Sequence, residues 1–167
     1  MQTDVNFLKI VDSILKNEEY KKIGNIKHHH NTRLDHCMKV SYYSYKLAKA
    51  FNLDEQATAK AGLLHDFYLE TIKDQDTVKD KLKLFSINHP QEAVNNSKRY
   101  FGLNEKEENI IASHMFPLSN KMPKYKESWI VTTVDKGLAL TEFVRYFNYK
   151  FGLYVIFIIN VLKIKSI

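Results

Sequence analysis

Apolar residues recur at intervals of three and four along most of this 167-residue chain. That spacing is the periodicity of helices that bury one face and expose the other. The alternation of apolar and polar residues that marks a half-buried strand appears in no segment of useful length. The sequence therefore predicts an all-α protein, a compact helical bundle whose length is typical of one domain.

Local start and stop signals divide this pattern into helices. Thr32 followed by Asp35 is a capping-box signature, and Asp54 and Asn104 stand where other helices should begin. Gly102 suits a helix end because glycine accepts a left-handed backbone. The predicted helices cover about residues 5–17, 33–51, 55–66, 89–101, 105–114 and 128–148.

Two segments depart from this pattern. Residues 71–83 are polar and predict an exposed excursion or a short surface helix. Residues 149–167 are apolar and β-branched in their middle part, which is far shorter than the roughly 20 residues needed to span a bilayer. We expect 149–167 to pack on the main domain, 31–148, after an N-terminal helix and loop, 1–30. An interfacial membrane contact is the alternative for the apolar segment.

Composition narrows the classes of function. The net charge of +6 favours anionic partners, but acidic residues interrupt the lysines, so a nucleic-acid-binding surface is not expected. The single Cys37 excludes an internal disulfide framework and fits a reducing compartment. With no signal-peptide pattern in the first residues, we expect a cytoplasmic protein.

Acidic and imidazole side chains occur at positions where an apolar core would exclude them. His65 and Asp66 end an apolar helical run, where the negative end of the helix dipole disfavours a carboxylate. Asp135 shares a predicted helix face with Val131 and Leu138, and an unpaired carboxylate there would be strongly destabilising. A bound cation would resolve both problems.

Another predicted helix turns an imidazole inward. The residues that share one stripe of this helix, at steps of three and four, are Arg33, His36, Val40, Tyr43 and Leu47. We expect this stripe to be mostly core, with Cys37 as a small core residue beside it. His28, His29 and His30 precede the helix in a loop that is expected to be solvated, although it could line the entrance of a site.

In order and spacing, these residues resemble the signature of the HD-domain metal-dependent phosphohydrolases: a His, a His-Asp doublet and a distant Asp. The matching residues are His36, His65, Asp66 and Asp135. His89 and His114 resemble the two extra histidines of binuclear members, which include bacterial HD-type hydrolases of diadenosine tetraphosphate. The resemblance covers most of the chain, so the main domain is expected to be an HD domain similar to small bacterial members.

The resemblance implies a divalent metal centre of one or two ions, with iron, manganese or zinc as the expected metals and magnesium as an alternative. One ion would be held by His36, His65, Asp66 and Asp135. His89 and His114 would join Asp66 around the second, and a metal-activated hydroxide would attack phosphorus. His65 and Asp66 would thus be catalytic as well as ligands.

Two basic residues complete the expected site. Arg33 would hold a substrate phosphate by bidentate contact, and Lys136 would assist as a point charge. The alternatives are a salt bridge from Arg33 to Asp35 or to a core carboxylate, and an ordinary surface role for Lys136.

The expected function is hydrolysis of a phosphoester or phosphoanhydride bond in a small phosphorylated substrate, a nucleotide or a dinucleoside polyphosphate. The Gly-Tyr-Pro triplet of cyclic di-GMP phosphodiesterases is missing after the doublet. A non-catalytic HD domain that binds a nucleotide to regulate a partner is the alternative. A homodimer is a further expectation.

Overall fold

The computed structural model describes residues 4–28, 31–69, 77–78 and 88–164. The fold is all-α, as predicted from the helical periodicity. Its helices in these ranges are α1 (Val5–Leu15), α2 (Glu18–Lys21), α3 (Arg33–Ala50), α4 (Glu55–Leu64), α5 (His89–Phe101), α6 (Glu105–Ser113) and α7 (Lys126–Ile164). A 3-10 turn at Lys22–Asn25 and a two-residue antiparallel ladder, β1 (Lys27–His28) with β2 (Asn31–Thr32), lead into α3.

Predicted caps set where the helices begin and end. Thr32 and Asp35 form the capping box at α3: Asp35 N donates to Thr32 Oγ1, and Thr32 N donates to Asp35 Oδ2, both at 3.1 Å. Asp54 Oδ1 accepts from Ala57 N at 2.9 Å. Gly102 ends α5 with a φ of 62°, the left-handed region that glycine enters without strain. The predicted polar excursion at 71–83 lies, except for residues 77–78, outside the described residues.

The buried face of α3 differs from the predicted stripe in its second half. Tyr43 is 48% exposed and Leu47 is 40% exposed, so their predicted place in the core is wrong. The side chains of α3 that are buried in this half are Val40, Ser41, Ser44, Tyr45 and Ala48. Several of these are small, and Ser41 Oγ donates to Ala59 O of α4 at 2.6 Å. Small side chains on this face of α3 allow α4 to approach closely. The predicted stripe did not take this close approach into account.

Gly62 lies at the closest approach of α4 to α3, since a Cβ added there would be 3.1 Å from Ser41 Cα. We expect Gly62→Val to lower the free energy of unfolding by about 1–3 kcal/mol, because the opposing atom is backbone and cannot turn aside. Urea denaturation measures this change. Gly137→Val is the matched control, because nothing lies within 4 Å of a Cβ at that position. An equal loss in both variants would contradict the role of close approach.

Aromatic packing fixes the end of α4. Tyr20 is fully buried, and its hydroxyl donates to Leu63 O at 2.6 Å. The Tyr20 ring also meets the Phe67 ring edge-on, with 5.2 Å between centroids. These contacts hold the chain on both sides of the His65-Asp66 doublet.

The chain divides into two compact units, Met1–Asp135 and Lys136–Ile167. Helix α7 continues without a break to Ile164, so the predicted helix end near residue 148 is wrong. Gly152 is the one helix-weakening residue near that point, and a single glycine costs only about 1 kcal/mol in a helix interior. The packing of 149–167 on the main domain stays a prediction. Within the described ranges, no helix has the length and apolar character needed to cross a membrane.

Candidate metal centre

Five helices of the first unit bring six metal-ligand side chains together. They are His36 in α3, His65 and Asp66 after α4, His89 at the start of α5, His114 after α6 and Asp135 in α7. Each of these residues is buried, with an exposed fraction of at most 9%. Four of the six stand at helix ends, where the chain can aim a side chain at neighbouring helices.

Asp135 lies at one side of this cluster. His36 Nε2–H donates to Asp135 Oδ1 at 2.9 Å, which ties α3 to α7. His65 Nε2 lies 3.6 Å from the same oxygen and 3.6 Å from Asp66 Oδ2. One imidazole therefore faces two carboxylates.

Asp66 turns its other oxygen toward the remaining histidines. Asp66 Oδ1 lies 3.4 Å from His89 Nε2 and 3.5 Å from His114 Nε2. The two Nε2 atoms of His89 and His114 are themselves 2.9 Å apart. Three triads have ligand atoms that all lie within 4.8 Å of one another: His36, His65 and Asp66; His65, His114 and Asp135; and Asp66, His89 and His114. The two oxygens of Asp66 thus serve two neighbouring sets.

The backbone orients two of the imidazoles. His65 Nδ1 lies 2.8 Å from Gly62 O, and His114 Nδ1 lies 2.8 Å from Ile111 O. Because a carbonyl oxygen only accepts hydrogen bonds, each Nδ1 carries the proton. Nε2 of both rings is then the atom that can ligate a metal.

Both carboxylates are ionised although they are buried. Burial raises the pKa of Asp66, but the charges of His65 and His89 outweigh it and the net shift is downward. Burial likewise raises the pKa of Asp135, but the hydrogen bond from His36 and the charge of the nearby His65 bring it well below its ordinary value. The centre therefore carries two negative charges in a region with little solvent.

The histidines of the centre differ in their tendency to carry a positive charge. Burial lowers the pKa of His65, yet the charge of Asp66 raises it well above the ordinary value. Burial and the charges of His65 and His89 lower the pKa of His114 to about 3, so that ring stays neutral. Nε2 of His65 and Oδ1 of Asp66 are buried without a hydrogen-bond partner among the described residues. A divalent cation that replaced the Nε2 proton of His65 would satisfy both atoms, and imidazole with carboxylate is a donor set that suits iron, manganese or zinc.

Arg33 is buried beside this cluster. It is 5% exposed, its Nη1 donates to Tyr68 O, and its Cζ lies 3.6 Å from the centroid of the Tyr68 ring. Among the described residues Arg33 forms no ion pair, and Asp35, the partner considered in the alternative, is held by Thr32 in the capping box. From the sequence, Tyr68 is expected to be a core aromatic, with stacking on a substrate base as the alternative. Its contact with Arg33 is not predicted by either interpretation.

The remaining predicted residues have different outcomes. Lys136 follows Asp135 in α7 but is the first residue of the second unit, so its contact with substrate stays a prediction. His28 lies in the ladder, whereas His29 and His30 lie outside the described residues. Cys37 is fully buried and is a free cysteine, as predicted.

Fold and site together define an all-α protein with a buried histidine and aspartate cluster that could hold a divalent metal. The family model for the HD domain matches residues 33–140, which is well over half of the chain. The chain therefore belongs to the HD domain family, whose members are mostly metal-dependent hydrolases. Comparison with curated proteins and with solved structures gave no significant match.

Proposed function

We propose that this protein is a metal-dependent phosphohydrolase that cleaves a phosphoester or phosphoanhydride bond in a small nucleotide-like substrate. The observation that carries the proposal is the arrangement around Asp66, whose two oxygens face different imidazoles within 3.6 Å. One carboxylate that serves two ligand sets is the arrangement that a two-metal hydrolytic centre requires. Membership in the HD domain family supports the same class of reaction.

Each residue of the centre has a proposed role. The first ligand set is His36, His65, Asp66 and Asp135, and the second is Asp66, His89 and His114. A divalent metal held by these residues would lower the pKa of a coordinated water and neutralise charge on a phosphoryl oxygen. The carbonyls of Gly62 and Ile111 fix His65 and His114. His36 Nε2 and Asp135 Oδ1 lie 2.9 Å apart, and the Nε2 proton that His36 donates to Asp135 would leave when these residues ligate a metal. Arg33 binds a phosphate oxygen pair, and Lys136 adds a positive charge.

A nucleotide or a dinucleoside polyphosphate is the proposed substrate class. The net charge of +6 favours such anions, and the ligand order resembles that of HD-type diadenosine tetraphosphate hydrolases. The test is a screen of nucleotides, dinucleoside polyphosphates and cyclic dinucleotides against manganese- or iron-loaded protein, with chromatography of the products. Hydrolysis of one of these classes supports the proposal. Tight nucleotide binding without any turnover would favour the regulatory alternative instead.

The second ligand set predicts a specific loss of metal. We expect elemental analysis of the manganese-loaded protein to give about two ions per chain and His89→Ala to give about one, because the first set does not use His89. Gln91→Ala, an exposed change on the same helix, is the matched control and should keep both ions. Equal metal content in His89→Ala and in the control would contradict a second ion.

A homodimer is the proposed assembly. Large apolar side chains are exposed in the second unit, with exposed fractions of 62% for Leu140, 45% for Val144 and 63% for Tyr149. Exposed apolar surface of this kind is commonly covered by a partner, and a second copy supplies the same helix. Light scattering after size-exclusion chromatography should give twice the mass of one chain. A mass of one chain across the micromolar range would contradict it.

A further inference from the structure

We infer that Tyr68 is a positioning residue that holds the Arg33 guanidinium in the orientation needed to bind a phosphate group at this site. The inference rests on the proposed function, because Arg33 is assigned to substrate phosphate there. It adds a residue that belongs to none of the ligand sets and that lies 35 positions from Arg33 in the chain.

Two separate contacts from Tyr68 restrain Arg33. The guanidinium carbon lies over the Tyr68 ring, 3.6 Å from its centroid. Nη1 of the same guanidinium donates to the backbone oxygen of Tyr68. The ring restricts where the group can lie, and the hydrogen bond restricts its orientation there.

One donor of Arg33 is left for a ligand. Nε is buried without a hydrogen-bond partner among the described residues, and the residue is only 5% exposed. Nε and Nη2 form the side-on edge of a guanidinium, which presents two parallel N–H donors. A buried charged donor without a partner is costly, and two phosphate oxygens match the spacing of this edge.

The segment that carries Tyr68 is fixed to the helix of a proposed metal ligand. On one side of Tyr68, Asn96 Nδ2 donates to Phe67 O at 3.0 Å. On the other side, Leu69 N donates to Glu92 Oε1 at 3.2 Å. Asn96 and Glu92 belong to α5, which begins with His89.

The ring of Tyr68 also contacts the ring of His89, with 4.9 Å between centroids. Tyr68 thus touches both the residue assigned to phosphate and a residue of the second ligand set. Its position would keep Arg33 aligned with the metal centre during substrate binding.

The test is a double-mutant cycle read by calorimetric binding of inorganic phosphate to manganese-loaded protein. We expect Tyr68→Leu and Arg33→Met each to weaken phosphate binding by about tenfold or more, because a charge-assisted hydrogen bond is lost or misaligned. The double variant should bind no more weakly than Arg33→Met alone. Tyr68→Phe, which keeps the ring and the backbone oxygen, should stay within about twofold of the unsubstituted protein.

Two further measurements separate positioning from a general loss of structure. Tyr45→Leu removes another buried tyrosine, one that packs on Phe7, and should leave phosphate binding within about twofold. The manganese content of Tyr68→Leu should equal that of the unsubstituted protein. Loss of manganese in Tyr68→Leu would overturn the inference, because Tyr68 would then act through His89.

Other outcomes also decide the matter. If the double variant loses phosphate affinity by the product of the two single losses, the role of Tyr68 is overturned. It is also overturned if the unsubstituted protein binds no phosphate. Turnover in the nucleotide screen, combined with independent losses of phosphate affinity in the two single variants, would support the proposed function and contradict the inference about Tyr68. Coupled losses without turnover of any substrate would support Tyr68 and contradict the hydrolase.

Discussion

Asp66→Ala is expected to lower the turnover number by at least about a thousandfold, the largest effect of any single substitution in this protein. Asp66 faces His65, His89 and His114 within 3.6 Å, so its removal takes a ligand from both sets at once. The measurement is steady-state hydrolysis by manganese-loaded protein of the best substrate from the nucleotide screen. Far-ultraviolet circular dichroism should show that the variant remains helical.

A surface carboxylate provides the comparison for Asp66→Ala. Asp12 is exposed on α1 and pairs with Lys16, so Asp12→Ala should retain full turnover. Undiminished hydrolysis by Asp66→Ala would refute the role of the doublet in catalysis. Equal loss in both variants would indicate a general sensitivity of the fold instead.

Asp135→Ala is expected to destabilise the metal-free protein by about 3–5 kcal/mol, because it removes one partner of a buried charged group. His36 loses its 2.9 Å acceptor, and His65, whose pKa is raised by the neighbouring carboxylates, keeps Asp66 as the one carboxylate near its Nε2 among the described residues. Urea denaturation in the presence of a chelator measures the loss. The metal content of the variant should also fall, because Asp135 belongs to the first ligand set.

Asp135→Asn removes the negative charge of Asp135 but keeps an acceptor for His36, so it separates the two contributions to stability. The amide oxygen can still accept from His36 Nε2, so the asparagine variant should lose less stability than the alanine variant. A loss below about 1 kcal/mol in Asp135→Ala would mean that the buried imidazoles do not depend on this carboxylate.

Helix boundaries could be predicted from the sequence where short-range hydrogen bonds set them. Thr32, Asp54 and Asn104 cap helices as predicted, and Gly102 ends one, because each acts on backbone groups within four residues. The predicted end of α7 near residue 148 was wrong because no local signal stops the helix there. The exposure of Tyr43 and Leu47 was missed because it depends on how closely α4 approaches α3.

The candidate site shows the same division between local and distant effects. The six ligand candidates could be chosen because their order resembles the HD-domain signature and because imidazoles and carboxylates on apolar helix faces are rare without a partner. The contact between Arg33 and Tyr68 could not be predicted from the sequence, because an aromatic residue at helical spacing is normally a core residue. The carbonyls of Gly62 and Ile111 that orient His65 and His114 carry no side-chain signal in the sequence.

Those two carbonyls have a consequence for how such a chain can vary over evolution. Many metal-binding histidines depend on a second side chain to aim the ring, so that two positions must change together or stay unchanged. Here His65 and His114 each use the main chain three residues earlier, and every amino acid supplies a carbonyl oxygen. The orientation of each ring therefore does not depend on which side chain stands three residues earlier, although close packing against Ser41 still requires glycine at position 62.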